Sequence, residues 1–422
     1  VSAADIRLAI DFGTSNSLVG AWKDGKRVEA LALDPLAADP TLMRTLLYFL
    51  NRDQCYYGAQ AIKSYVETDM TGRLFRSFKS HLPNRNYLGT FIEDRVLTLE
   101  SMIGIFLLEI KMRAERILKA DVNSAVIGRP ARYSLDPLNE GFAIHRMQKA
   151  CEFAGFKSFE LVPEPLAAAF DLRRNLKSEK LVLVGDFGGG TSDFTIIRMG
   201  PYKFEKDHVL GLEGCPLAGD ALDSVFMSSK LNEFFGAKAK YKMLLGSNRL
   251  TMPQSLMDRI NLPAHIVHLK EKSTYEFIKE VRKGALTPSD QLAIDRLLTL
   301  VDDQQIFSFF ESIEKTKRSL SSNTKATFQF DYPGLEMEVE FLRTHFEVWA
   351  HEAKSKIFLA LDECLRLANV SPKDIDMVCL TGGSAKVPLI ENELLSRFGK
   401  EKLQTQSHFH SVLSGLIESA SF

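Results

Sequence analysis

The 422-residue sequence predicts an α/β fold in which two halves of the chain repeat one design. Two segments carry that prediction. Ile10-Asp11-Phe12-Gly13-Thr14-Ser15-Asn16-Ser17 stands near the start, and Gly185-Asp186-Phe187-Gly188-Gly189-Gly190-Thr191-Ser192-Asp193 stands in the middle. Each is an apolar run, an Asp, a turn of glycine and hydroxyl residues, and a second apolar run. A third segment, Ile375 to Ile390, reads as a strand, a Gly382-Gly383 turn and a helix. Internal duplication is a signal at the level of architecture.

The first lobe, residues 1–175, opens with a meander. Strands are expected at Leu8 to Ile10, Leu18 to Trp22 and Val28 to Leu33, with Asp24-Gly25 turning the chain between the last two. Residues 1–40 and 116–175 form its core, and 41–115 an inserted subdomain that reads as more helical. Within that insert, Leu99 to Lys119 places Ile103, Phe106, Leu107, Ile110 and Ile117 at helical spacing, the mark of a core helix. Ala125 to Gly128 is a further strand. The second lobe, residues 176–422, repeats the pattern with strands at Leu181 to Val184, Phe194 to Ile197 and Val209 to Leu212 before a Gly219-Asp220 turn. Its core is 176–224 and 306–422. Residues 225–305 read as a helical subdomain whose charged stretch, Glu271 to Lys283, is first a solvated helix face and second a docking surface. Ser411 to Ser419 reads as a closing helix.

The paired turns suggest a ligand. Glycine lets the backbone come close to a bound group, and successive N–H groups in such turns form a concave nest for an anion. Two facing nests would clamp a polyphosphate. Asp11 and Asp186 end their strands, where a carboxylate can hold hydrated Mg²⁺. One Asp-x-Gly-Thr turn is ordinary hairpin chemistry, but two at matching points read as a site for Mg²⁺ with a nucleotide.

Together the three segments resemble the actin-like ATPase superfamily. In detail they are similar to the nucleotide-binding domain of the heat-shock chaperone (DnaK-like) family. Leu161 to Phe170 resembles that family's connecting helix, whose start carries Asn-Glu-Pro, and Glu314 to Ser322 its adenosine-contacting helix. The resemblance covers nearly the whole chain. It implies a two-lobed actin-like ATPase fold of duplicated ribonuclease H-like domains, with inserted subdomains around a central nucleotide cleft. It also implies that Gly13, Thr14, Ser15 and Asn16 hold phosphate from one side and Gly188, Gly189 and Gly190 from the other. Asp11 and Asp186 would anchor Mg²⁺ through water, and Thr191 and Asp193 would orient or deprotonate the attacking water. Glu164 would report nucleotide state and polarise that water. Gly382, Gly383, Ser384 and Lys386 would meet the adenosine, with ribose contacts from Glu314 and Lys317 and a base contact from Arg318. The expected cofactors are ATP/ADP and Mg²⁺.

Three departures stand out. Lys386 occupies a place where the family has arginine, and lysine stacks less well than a planar guanidinium. A catalytic lysine expected four residues after a glycine finds Ile62 in Gly58-Ala59-Gln60-Ala61-Ile62-Lys63, with Lys63 one position late. Phe409 falls where the family carries an Asp. On this alignment nucleotide binding is expected and turnover should be slow. The family's shorter counterpart makes 225–305 an enlarged subdomain. No acidic leucine-rich linker or β-rich peptide-binding half is recognised after the nucleotide domain.

Composition narrows the classes. A formal net charge of −1 with 25% charged residues gives no footprint for nucleic acid or an anionic membrane. Cys55, Cys151, Cys215, Cys364 and Cys379 are scattered and read as reduced, incidental thiols. His408 and His410 read as surface residues rather than metal ligands. No run approaches the ~20 apolar residues of a membrane span, and the N-terminus runs directly into a strand, so a cytoplasmic monomer is expected. The leading functional reading is a chaperone-like ATPase whose cycle opens and closes the cleft to regulate a protein client or co-chaperone. The alternatives are a nucleotide-binding regulator with little hydrolysis and a small-molecule kinase of the same superfold.

Overall fold

The computed structural model describes residues 6–68, 71–173, 176–200, 208–243, 248–262, 269–405 and 411–421. The chain forms two compact units. One comprises residues 1–219 with 355–422, and the other residues 220–354.

The first unit contains two sheets of one design. In the first sheet, strand Ile6–Phe12 pairs antiparallel with Asn16–Lys23, which pairs with Lys26–Val28; on its other side lie the parallel strands Ser124–Arg129 and Ser158–Pro163. In the second, Lys180–Phe187 pairs antiparallel with Ser192–Met199 and that with Val209–Cys215, while Met377–Thr381 and Leu403–Thr405 continue in parallel on the other side. Both sheets thus run third, second, first, fourth, fifth in their own chain order. The duplication read from the two loops is a duplication of whole sheets. The parallel strands are apolar and buried on both faces, as Ala125, Val126 and Ile127 and then Val378, Cys379 and Leu380 show.

A helix follows the fifth strand of the first sheet, Glu164–Arg173, and another follows that of the second, Ser411–Ser419. They share one hydrophobic core with Ala9, Leu18 and Val126 of the first sheet and Val182, Val184 and Ile197 of the second. The approach is close: a Cβ on Gly415 would lie 1.6 Å from the Ala167 carbonyl oxygen. Leu413, Leu416 and Ile417 fill the space on either side.

Three local expectations change. The insert over 41–115 carries strands beside the helices expected of it. It contains a three-stranded sheet of Cys55–Tyr57, Leu46–Phe49 and Arg73–Arg76 and a hairpin of Gly89–Ile92 with Arg95–Thr98, beside helices Gly58–Glu67 and Leu99–Leu118. Leu46, Leu47, Tyr48 and Phe49 are all buried, so the short run has no alternation to distinguish strand from helix. The first meander's third strand spans only Lys26–Val28, and beyond it the chain returns through a single bond from the Leu31 N–H to the Val19 carbonyl. Ile117 is exposed at 44%, although Ile103, Phe106, Leu107 and Ile110 are buried. The five cysteines are free thiols, with Cys151 pushed up to about 12 by burial.

In the second unit, helix Ile306–Ser322 packs on the hairpin Lys325–Phe330 and Met337–Leu342, with Phe309 about 5.0 Å from both Phe328 and Phe330. Helices Gln254–Ile260, Lys272–Lys283 and Pro288–Asp302 account for most of the described chain between 253 and 302.

Candidate functional site

The two Asp-bearing turns close the first hairpin of each sheet, and the first unit brings them face to face. A Cβ on Gly190 would lie 3.1 Å from the Thr14 hydroxyl oxygen, so the second turn touches the first. The first turn is braced from outside: the Thr45 hydroxyl donates to the Gly13 carbonyl at 2.8 Å, shares a 2.8 Å bond with the Ser17 hydroxyl, and the Thr45 N–H reaches the Ser15 carbonyl. Asn16 begins the next strand opposite Arg44. The second turn is closed by the Gly188 N–H on the Thr191 carbonyl at 2.9 Å.

The third glycine turn joins it. The Ser384 hydroxyl donates to the Gly188 carbonyl at 3.0 Å, and the Gly219 N–H reaches the same oxygen. Thr381 lies beside Asp186 in the parallel register, and its hydroxyl donates to Asp186 Oδ1 at 2.7 Å. Gly382 and Gly383 form the turn that follows, and Lys386 is exposed. Glu314, Lys317 and Arg318 belong to the other unit. There Lys317 Nζ lies 2.8 Å from Asp223 Oδ1, both side chains buried, and the exposed Arg318 pairs with Glu314 one turn away. Asp223 is pushed up to about 6 by burial, against the pull of Lys317.

Four carboxylates gather where the hairpins meet. Asp186 and Asp193 are cross-strand partners. Asp193 is fully buried and accepts from the Ala131 N–H at 2.7 Å, while its Oδ2 has no hydrogen-bond partner among the described residues. Burial, then the Glu164 and Asp186 charges, raise it well above the ordinary carboxylate range. Asp11 is raised by burial, then Glu164 and Asp186, and Asp186 is raised to about 7 by burial and Glu164. Carboxylates forced this close hold their protons or a cation.

The local cation is Lys79, which the sequence reading missed. Its ammonium lies 3.0 Å from Glu164 Oε1, with side chains 6% and 9% exposed, and also donates to the Phe12 carbonyl. It pulls Asp11 and Asp186 down against their neighbours. The positive charge thought missing at Ile62 is therefore present from another element. Ile62 and Lys63 lie on helix Gly58–Glu67, where the exposed Lys63 pairs with Glu67 at 3.8 Å. Nothing local marks Lys79: it sits in a single 3₁₀ turn, Phe78–His81. Phe409, His408 and His410 lie outside the described residues.

The donor set fits a divalent cation and an anion together. Clustered acids with raised pKa values and an unpartnered Asp193 oxygen leave charge to be neutralised. Among the described residues no group of three His, Cys, Asp or Glu is placed to hold a metal ion by direct ligation.

The family model described as Hsp70 protein matches residues 57–252 and 294–415, more than half of the chain. The chain belongs to the Hsp70 family. Its two like-ordered sheets are those of the actin-like ATPase fold, with the Hsp70 match running through the connecting helix and the third glycine turn. A protein named "Chaperone protein DnaK" from Thermosipho melanesiensis is 25% identical over 402 residues, covering 93% of this chain and 55% of its own. "Chaperone protein DnaK 3" from a Synechococcus species is 24% identical over 407 residues, covering 93% and 54%. The chain thus spans about half the length of the curated relatives it matches. The Hsp70 model leaves residues 1–56, 253–293 and 416–422 unmatched, and the middle stretch carries helices Gln254–Ile260 and Lys272–Lys283. No described helix is long and apolar enough to cross a membrane.

Proposed function

We propose that this Hsp70-family chain binds ATP and ADP with Mg²⁺ between its two glycine hairpins, hydrolyses ATP slowly, and uses the cycle to regulate a protein client or co-chaperone. The observation that carries the reading is the meeting of Thr14 with Gly190 beside four carboxylates and the Lys79 ammonium. The names of the DnaK relatives support a chaperone role.

Phosphoryl transfer needs placement and charge neutralisation more than covalent help. The amides of Gly13, Thr14, Ser15 and Asn16 and those of Gly188, Gly189 and Gly190 would hold phosphate oxygens. Bound Mg²⁺ supplies charge neutralisation on those oxygens, with Asp11 and Asp186 orienting its waters. Lys79 places two of its three donors on the protein and has a third for a phosphoryl oxygen. Asp193, with its raised pKa and unpartnered Oδ2 beside Thr191, would take the proton from the attacking water. Glu164 holds Lys79 in place and, one helix start away from the second sheet, would carry nucleotide state between the lobes. Gly382, Gly383, Ser384 and Lys386 would receive the adenosine; Glu314, Lys317 and Arg318 stand as ribose and base contacts on the family resemblance.

The test is γ-labelled ATP with Mg²⁺, with and without a metabolite extract. Slow release of inorganic phosphate, indifferent to the extract, is expected. Asp193→Asn should cut it about 10²-fold or more with nucleotide affinity retained. Transfer of label to a small acceptor would make the chain a kinase, and binding without release a regulator.

A further inference from the structure

The segment that carries Lys79 is tied to the neighbouring helices by a buried side chain. After the 3₁₀ turn Phe78–His81 the chain runs to Leu88 without helix or strand; the Asn84 and Tyr87 N–H groups reach the His81 and Asn84 carbonyls at 3.0 and 3.2 Å, and further donors to the segment's carbonyls come from outside it. Arg146, on helix Pro137–Phe153, is 2% exposed and supplies them. Its Nη1 donates to the carbonyls of His81, Leu82 and Asn84 at 3.2, 3.4 and 3.1 Å, and its Nη2 to that of Tyr87 at 2.7 Å. Its Nε donates to Glu100 Oε1 at 2.8 Å, in the first turn of helix Leu99–Leu118. The guanidinium also lies 4.5 Å from the Phe142 ring centre, and the His81 and Tyr87 rings stack at 4.2 Å.

A guanidinium is a rigid fork of five donors, and a lysine at the same place would be a single flexible point charge. One planar group therefore fixes four carbonyls of the segment, the nearest only two residues beyond Lys79, against two helices. We propose that Arg146 is a positioning residue that holds Lys79 in its pair with Glu164 and so sets the charge presented to the phosphates. Its effect on turnover rests on the nucleotide reading above, whereas its hold on Lys79 does not.

Two measurements on Arg146→Lys separate these. The first is the rate at which a water-soluble acylating reagent modifies Lys79, followed by peptide mass spectrometry and referenced to the exposed Lys63. The second is single-turnover ATP hydrolysis alongside nucleotide affinity. In a variant with wild-type circular dichroism, Lys79 should be acylated about tenfold faster or more, and hydrolysis should fall by a similar factor with affinity nearly constant. Combining it with Lys79→Met should cost nothing beyond Lys79→Met alone. If Arg146→Lys does not fold, Glu100→Gln, which frees one end of the guanidinium, should raise Lys79 acylation in the same direction. Unchanged acylation in a folded variant, or losses that multiply in the double variant, would overturn the proposal. A wild-type protein that binds no nucleotide sinks the functional reading alone, and the acylation arm still decides the role of Arg146.

Discussion

Lys79 and Glu164, 85 residues apart in sequence, form a buried ion pair with Nζ 3.0 Å from Oε1. One comes from a 3₁₀ turn in the insert and the other from the start of the helix that follows the fifth strand. The pair lies against both Asp11 and Asp186, so it ties the folding of the insert to the charge of the site.

Lys79→Met leaves Glu164 buried without its partner, and removal of one member of a buried pair costs about 3–5 kcal/mol. Urea unfolding should show a loss of that size, and Glu164→Gln added to it should restore a good part. A double variant as unstable as the single one would mean that the cost lies in packing rather than charge. Turnover should fall in both by about 10²-fold or more, to a residual single-turnover rate.

The acids give a pH dependence whose sign is fixed. Asp186 stands at about 7 in the fold, against an ordinary carboxylate value near ~4 when unfolded. Between those values the native state keeps a proton that the unfolded chain has released. Stability of the nucleotide-free protein should therefore fall as pH rises through this window and level off above it. Asp186→Asn keeps an acceptor for Thr381 and removes the charge, so it should gain roughly 1–3 kcal/mol at alkaline pH and little at acid pH. Thermal melts across the range will show it; a variant that melts lower than wild type at alkaline pH contradicts the assignment.

Ile62→Lys should not raise hydrolysis, because Lys79 already supplies the cation and residue 62 sits on a helix whose neighbouring lysine pairs with Glu67. Steady-state turnover should stay within about twofold of wild type. A clear increase would put the missing charge back at that helix.

Gly415→Ala tests the shared core. The added methyl would meet the Ala167 carbonyl oxygen at 1.6 Å, backbone that cannot move without separating the two helices. Overpacking at such a crossing costs about 3 kcal/mol or more. Equilibrium unfolding with no change in midpoint would show that these helices do not pack so closely in solution.

Much of the site was legible because its signals are local. A hairpin turn that must approach an anion needs glycine and hydroxyl residues in sequence, so Gly13, Thr14 and Gly188 to Thr191 announce themselves, and the strands around them follow from apolar runs. The repeat of the turns implied a repeated meander, whereas the two parallel strands that complete each five-strand order were not all read from the sequence. The third turn was readable as a strand, Gly-Gly and helix, and the closing helix from its apolar spacing.

What only the tertiary structure decided involves charge and contact between distant segments. Lys79, Arg146, Thr45 and Asp223 act through partners far along the chain, and no local pattern distinguishes a buried lysine or arginine from the solvated majority of its kind. The central strand of the insert's sheet was hidden for a related reason: Leu46–Phe49 is a run of four apolar residues buried on both faces and fits either period. The sequence by itself determined the fold family and the two glycine turns, because turn chemistry and apolar runs are short-range. The tertiary structure alone determined which cation faces the carboxylates and how far their pKa values move, because both depend on burial and on distances that exist only once the sheets, helices and insert have packed together.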